Sequence, residues 1–225
     1  MADEITINGT PLAEYGASLL DYNSGAVSLT QNYFKADKRL RMTVFKPNMP
    51  LRDVKLKFEF FATSDAEAEA RATALIYELT EMAEIKLPDG FYYAGVLDKA
   101  DKPKRIAEGI FTRECNVKAY RHGELESEVL TESGDISVKG NYPAMARYRI
   151  ALTGGTEFSI AGINIIGITG ANIVIDGIDG LITEDGVNCF QKTDMTEFPT
   201  LEPGNRHIDI EGSGTVTVEY YPIYF

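Results

Sequence analysis

The chain has 225 residues, a formal net charge of −12, and 44% hydrophobic against 25% charged residues, a balance that suits one large or two small buried cores. No run approaches the roughly 18 apolar residues that cross a bilayer, and the acidic opening Met1-Ala2-Asp3-Glu4-Ile5 lacks the apolar stretch of a secretory signal. Tight binding of nucleic acid needs clustered Lys and Arg, yet Lys192 and Arg206 face eleven acids from Thr153 onward, a net of −9, and the first 152 residues hold 20 bases and 23 acids, a net of −3.

Residues 4–7 alternate as a strand, and Asn8-Gly9 is a hairpin signal because both residues tolerate positive φ. Residues 12–20 return from that turn and bend at Tyr15-Gly16. Strands are predicted over 27–34 and 40–45 around the polar run 35–39, and Pro47 and Pro50 then stop regular pairing. Alternating Leu56, Phe58 and Phe60 make 55–62 a strand. One helix stands out. Ser64-Asp65-Ala66-Glu67 is a capping box, in which the serine oxygen accepts the Glu67 amide and the glutamate reaches back. Ala68, Ala72, Leu75, Ile76, Leu79, Met82 and Ala83 continue it as one apolar stripe that ends at Pro88-Asp89-Gly90, and its acids are left for solvent.

Residues 91–97 read as an aromatic strand and 98–105 as a charged loop with the densest basic cluster. Residues 107–120 follow as a strand with Phe111, Cys115 and Val117 in the core. The acidic stretch 121–135 reads as a long hairpin tip or mobile loop, and 142–152 as the closing strand of a first unit. At Thr153-Gly154-Gly155-Thr156 a glycine pair coincides with the change in charge balance, which sets domains of 1–153 and 154–225. In the second, Gly167-Ile168-Thr169-Gly170 is not a phosphate loop, since neither G-x-G-x-x-G nor a Walker lysine follows. Asp176, Asp179, Glu184 and Asp185 offer the clustered oxygens calcium takes, but their spacing does not match an EF-hand and Asp-Gly pairs are ordinary turns. The end of the chain reads as a turn at Pro203-Gly204-Asn205, a strand from His207 to Ile210, a break at Gly212-Ser213-Gly214 and a returning strand over 215–221. Many short strands bounded by such turns predict a compact antiparallel β-sandwich.

Catalytic chemistry has little to work with. His122 and His207 are the only histidines, one in a loop and one beside a turn, with no Ser, Cys or acid in a catalytic spacing. Cys115 and Cys189 read as reduced, half-buried apolar residues rather than a disulfide or metal pair. The reading is a protein without enzymatic activity, catalytic residues, metal or cofactor.

Both ends of the chain carry a resemblance. Phe198-Pro199-x-Leu201-x-Pro203-Gly204-x-x-x-Ile208, then Gly212-Ser213-Gly214-Thr215-Val216-Thr217-Val218-x-Tyr220 and a terminal aromatic cluster, resembles the end of the distal tail proteins. These are the ring-forming hub proteins at the tip of long, flexible phage tails. The opening Ile5-Thr6-Ile7-Asn8-Gly9-Thr10, followed by Glu14-Tyr15-Gly16, resembles the same family. The resemblance implies a mainly β fold: an α+β N-terminal domain with one amphipathic helix packed on a β-sandwich or barrel, then a galectin-like antiparallel β-sandwich. It implies a homo-hexameric ring that joins the tail tube protein to a tail-tip, fibre or receptor-binding protein and lets DNA pass without specific binding. The place implied is the virion tail tip, after assembly in the bacterial host cytoplasm, without contact to a membrane.

An arm embracing the neighbouring subunit is also implied. Position alone places it over residues 24–50, with Tyr33, Phe34, Lys38, Arg39 and Phe45 as candidate interface residues. A bore through which DNA leaves should keep Lys102-Pro103-Lys104-Arg105 and Lys38-Arg39 at the periphery or at subunit contacts, because fixed cations facing phosphate slow passage. The alternative is a carbohydrate-binding, lectin-like module. The chain has no tryptophan on which to stack a sugar, and Tyr220, Tyr221 and Tyr224 would have to substitute.

Overall fold

The computed structural model describes residues 5–28, 33–34, 43–44 and 51–225. Among the described residues the chain is mainly antiparallel β with one α-helix, and it packs as two compact units that divide between His122 and Gly123, with the last residue, Phe225, grouped with the first.

Unit 1 is a sheet in the order Thr10–Pro11, Thr6–Ile7, Ala83–Lys86, Tyr92–Ala100, Ile110–His122, Leu51–Phe61, Ala17–Ser28. Its faces differ because side chains alternate along each strand. Val54, Leu56, Phe58 and Phe60 are buried on one side together with Cys115, Val117 and Ala119 of the neighbouring strand. Lys55, Lys57 and Glu59 point the other way, with Glu114 across from Lys57 and, further along, Lys118 across from Asp53. The helix Asp65–Glu78 covers the apolar side, burying Ala68, Ala72, Leu75 and Ile76.

The capping box closes one residue earlier than expected. Ser64 Oγ accepts the Glu67 amide at 3.3 Å, but the Glu67 carboxylate reaches the Thr63 amide at 3.1 Å and the Thr63 hydroxyl at 2.7 Å rather than Ser64. The helix is also shorter than its apolar pattern. Leu79 caps it, Ala83 opens the strand Ala83–Lys86, and Met82 lies 67% exposed instead of in the stripe. Asn8 and Gly9 take the expected positive φ, but the chain after them makes a 3-10 turn, Leu12–Tyr15, ended by Gly16 in the left-handed region. The stretch 98–105, expected as a loop, is largely the end of Tyr92–Ala100 and the short strand Lys104–Ala107.

Unit 2 is built on two long neighbours, Ala144–Ile160 and Ile210–Tyr220. The sheet runs Glu126–Leu130, Ile210–Tyr220, Ala144–Ile160, Asn172–Asp176, Leu181–Glu184, Val187–Asn188, with Ile163–Ile166 and Thr200–Leu201 also on Ala144–Ile160. A separate ribbon pairs Gly134–Val138 with Gly204–Ile208 and buries Ile136, Val138 and Ile208. The Tyr220 hydroxyl ties this ribbon to the sheet, accepting from the Lys139 amide at 3.0 Å and donating to the Ser137 carbonyl at 3.3 Å.

Three expectations are corrected here. The boundary at 153/154 falls inside a 17-residue strand, because Gly154 and Gly155 carry it through a shift of register instead of linking two bodies. The acidic stretch 121–135 is not a free tip; it holds Glu126–Leu130 at the sheet edge and the start of the ribbon. The final turn-strand-turn-strand is not a local hairpin, since Gly204–Ile208 pairs with residues 134–138 and Gly212 does not break the last strand. Gly212 has φ +123, and a Cβ there would meet Phe158 Cδ2 at 2.6 Å, so the glycine lets the strand cross that ring.

Candidate functional site

The residues that suggested chemistry are held in structural contacts. The buried His122 ring stacks on Tyr92 at 5.4 Å and lies 5.7 Å from Tyr120, with Glu84 Oε2 at 3.4 Å. His207 Nδ1 meets Asp135 Oδ1 at 2.6 Å across the ribbon, and Asp209 lies 3.5 Å from Nε2. The hydrogen bond that Asp135 accepts from the ring raises the His207 pKa above its ordinary value. Both cysteines are free and buried, and burial pushes the Cys115 thiol up to about 12, far from a nucleophile's range.

The acids considered for calcium act as turn caps. Asp176 Oδ2 binds Arg147 Nε at 2.5 Å, while Oδ1 accepts the amides of Ile178 at 2.9 Å and Asp179 at 3.0 Å. Glu184 accepts the amides of Thr169 at 2.6 Å and Gly170 at 2.5 Å and pairs with Lys192. Lys192, then the Gly170 and Thr169 amides, hold its pKa at about 2. The loop 167–170 therefore already cradles an anion, the chain's own carboxylate. Asp185 does the same for Ala171 and Asn172. Among the described residues, no group of three His, Cys, Asp or Glu is placed to hold a metal ion. Of the tyrosines weighed for sugar stacking, Tyr220 is 1% exposed and anchored as above.

Surfaces remain as the candidates. The outer face of unit 1's sheet is a ladder of opposite charges, with Lys57–Glu114 at 3.0 Å and Lys118–Asp53 at 2.5 Å. The basic cluster at 102–105 is divided. Arg105 turns to Asp65 at the helix start, 2.6 Å away, while Lys102 and Lys104 line an open groove with Lys57, Leu20 and Ile106.

Of the predicted arm 24–50, residues 24–28 belong instead to the strand Ala17–Ser28, where Ser24 pairs with Val54 and Ser28 with Leu51. Within the rest of it Tyr33 pairs with Val44 and Phe34 with Thr43, continuing the antiparallel order of the flanking strands. Lys38, Arg39 and Phe45 lie outside the described residues. The structure thus places Tyr33 and Phe34 together on one strand of a two-stranded ladder.

One surface was missed from sequence. The solvent side of the helix ends in Tyr77, 71% exposed, and Met82 follows just beyond. A signal for it exists: Thr80-Glu81 interrupts the helical stripe before Met82. Charge is also divided more sharply than the split at Thr153 gave. Residues 1–122 hold 17 bases and 18 acids, a net of −1, and residues 123–225 hold 5 bases and 16 acids, a net of −11.

No protein-family model matches the chain, and no curated protein matches it by sequence. Solved structures do match. The Dit protein (gp 19.1) of phage SPP1, described as a paradigm of the hub adsorption apparatus in phages infecting Gram-positive bacteria, superposes with a TM-score of 0.69 at 13% identity, over 97% of this chain and 98% of that one. A chain of the phage P2 baseplate, in its activated conformation with calcium, gives 0.60 at 12% identity over 99% and 98%. Its counterpart with strontium gives 0.59 at 12% identity over 97% of each chain. The fold of this chain is that of the phage tail hub and baseplate proteins.

Proposed function

We propose that this chain is a structural protein of a phage or prophage tail tip, a hub that assembles into a ring between the tail tube and the receptor-binding apparatus. The observation that carries this reading is the end-to-end match to a hub protein, over 97% of one chain and 98% of the other, so the correspondence covers both units and their order. Fold alone does not fix function, and the reading also draws on the site. The candidate chemical groups serve turns and strand pairs. Residues 29–50 join Ser28 to Leu51, which pair with each other, and within them Tyr33-Phe34 pairs with Thr43-Val44, a segment suited to reach a neighbour by edge pairing.

In this reading unit 1 supplies the ring, of six copies, and Tyr33, Phe34, Lys38, Arg39 and Phe45 contact the adjacent subunit. Unit 2 is the galectin-like lobe that receives tail-tip, fibre or receptor-binding proteins. DNA passes without specific binding, and the protein acts at the virion tail tip after assembly in the host cytoplasm. Sedimentation velocity and electron microscopy of the full chain, alone and with its tail tube protein, test this. A closed ring is expected. A chain that stays monomeric at every salt and protein concentration, with and without the tube protein, overturns the reading.

A further inference from the structure

Residues 29–50 stand apart in charge. They carry Lys35, Lys38, Arg39, Arg41 and Lys46 against Asp37, a net of +4, while the rest of the chain has 17 bases and 33 acids, a net of −16. A cationic segment that also holds Tyr33, Phe34, Leu40 and Phe45 calls for an acidic surface with exposed apolar side chains.

The solvent side of the helix Asp65–Glu78 has that character. Tyr77 near its end and Met82 in the turn that follows are 71% and 67% exposed, among the barest large apolar side chains of the described residues. Glu69, Glu78 and Glu81 are exposed beside them and join no ion pair among the described residues. The acids of the first turn differ, because Asp65 is matched by Arg105 and Glu67 by Arg71. The last turn has no basic residue to meet the negative end of the helix dipole, which leaves that end open to an external cation. Ala66, Ala70 and Ala74 keep the same side low enough for a strand to approach.

We propose that this helix face, centred on Tyr77, Glu78, Glu81 and Met82, is the docking surface for residues 29–50 of a second copy. The proposal rests on the ring reading above and names the surface that closes it. The test uses the full chain. Glu78→Lys with Glu81→Lys should raise the concentration needed for assembly about tenfold or more, because steering and pairing charges are reversed. Lys38→Glu with Arg39→Glu should do the same, and combining all four should restore assembly. Glu132→Lys with Glu197→Lys, the same charge change at exposed positions of unit 2, should leave assembly unaltered.

Circular dichroism confirms folding of each variant, and Tyr77→Ser serves as the alternative should the lysine pair not fold. In mixtures of differently tagged Met82→Cys and Tyr33→Cys chains, the expected disulfide joins two chains; in a chain carrying both cysteines, a disulfide formed only within that chain overturns the proposal. Rings that form normally with Glu78 and Glu81 reversed overturn the docking surface and leave the ring standing. A wild type that never assembles removes the ring reading and this surface with it.

Discussion

Cutting the chain at Gly154 should destroy unit 2, and cutting it before Gly123 should release unit 2 intact. A fragment of residues 154–225 lacks the first half of Ala144–Ile160, the edge strand Glu126–Leu130 and one side of the ribbon. It loses four large buried side chains, Ile136, Val138, Tyr148 and Ile150, each between 1% and 4% exposed. Burying a side chain of this size contributes about 1.5–3 kcal/mol, so the loss is about 6–12 kcal/mol against a typical whole-domain stability of about 5–15 kcal/mol. Ile210–Tyr220 also loses the backbone partners Ala146, Arg147, Tyr148, Arg149, Ile150 and Ala151. The assay is far-UV circular dichroism with a thermal melt on fragments 123–225 and 154–225. The longer fragment should melt cooperatively from an antiparallel-β spectrum, and the shorter should show no transition. A cooperative melt of residues 154–225 would refute the division at His122.

Leu75, on the inner side of the helix, is fully buried, so Leu75→Ala should cost unit 1 about 2–5 kcal/mol, read as a lowered denaturant midpoint. Arg147→Met leaves Asp176, 9% exposed, without its cation, while Glu219 keeps Arg149 at 3.0 Å, and should cost unit 2 about 3 kcal/mol, the low end for a broken buried pair because one acid stays paired and Asp179 is 60% exposed. His207, raised by Asp135, adds stability that is present below its unfolded pKa of about 6.5 and lost as pH rises through the higher folded value; an NMR titration unchanged by Asp135→Asn refutes this. Glu184 works in the opposite direction. Held at about 2, it adds stability present above the unfolded value and lost as pH falls toward 2, and Glu184→Gln should flatten the acid side of a pH–stability curve.

Much of unit 1 was legible in the sequence because its signals are local. Leu56, Phe58 and Phe60 alternate, and Ser64 is followed by Glu67, so the strand and helix start declare themselves within a few residues. Unit 2 was less legible because its pairings are long-range. Nothing near Gly204–Ile208 says that its partner lies at 134–138, and Gly212 resembles a break until Phe158 is seen beneath it. Gly154-Gly155 likewise has the composition of a linker, and only the flanking ladders show a strand running through. The proposed docking surface was half visible. The bases of 29–50 can be counted from the sequence, but the exposure of Tyr77 and Met82 depends on where the helix stops.

The central place of Ile210–Tyr220 sets a timetable for synthesis. This strand lies between Glu126–Leu130 and Ala144–Ile160, both of which leave the ribosome before it. The facing edge of Ala144–Ile160 must wait, unpaired, while about fifty further residues are made, and that of Glu126–Leu130 for about eighty, at roughly 5–20 residues per second, and open edges are where strands of different chains pair wrongly. The strands of unit 1 from Thr6–Ile7 to Ile110–His122 have all been made by His122 and can pair during that interval. A ribosome that stalls before Tyr220 would therefore leave a chain with those strands paired and an open second unit. If the ring proposed above forms through unit 1, such a product would join it and block it, and complete translation would matter to assembly as much as correct folding.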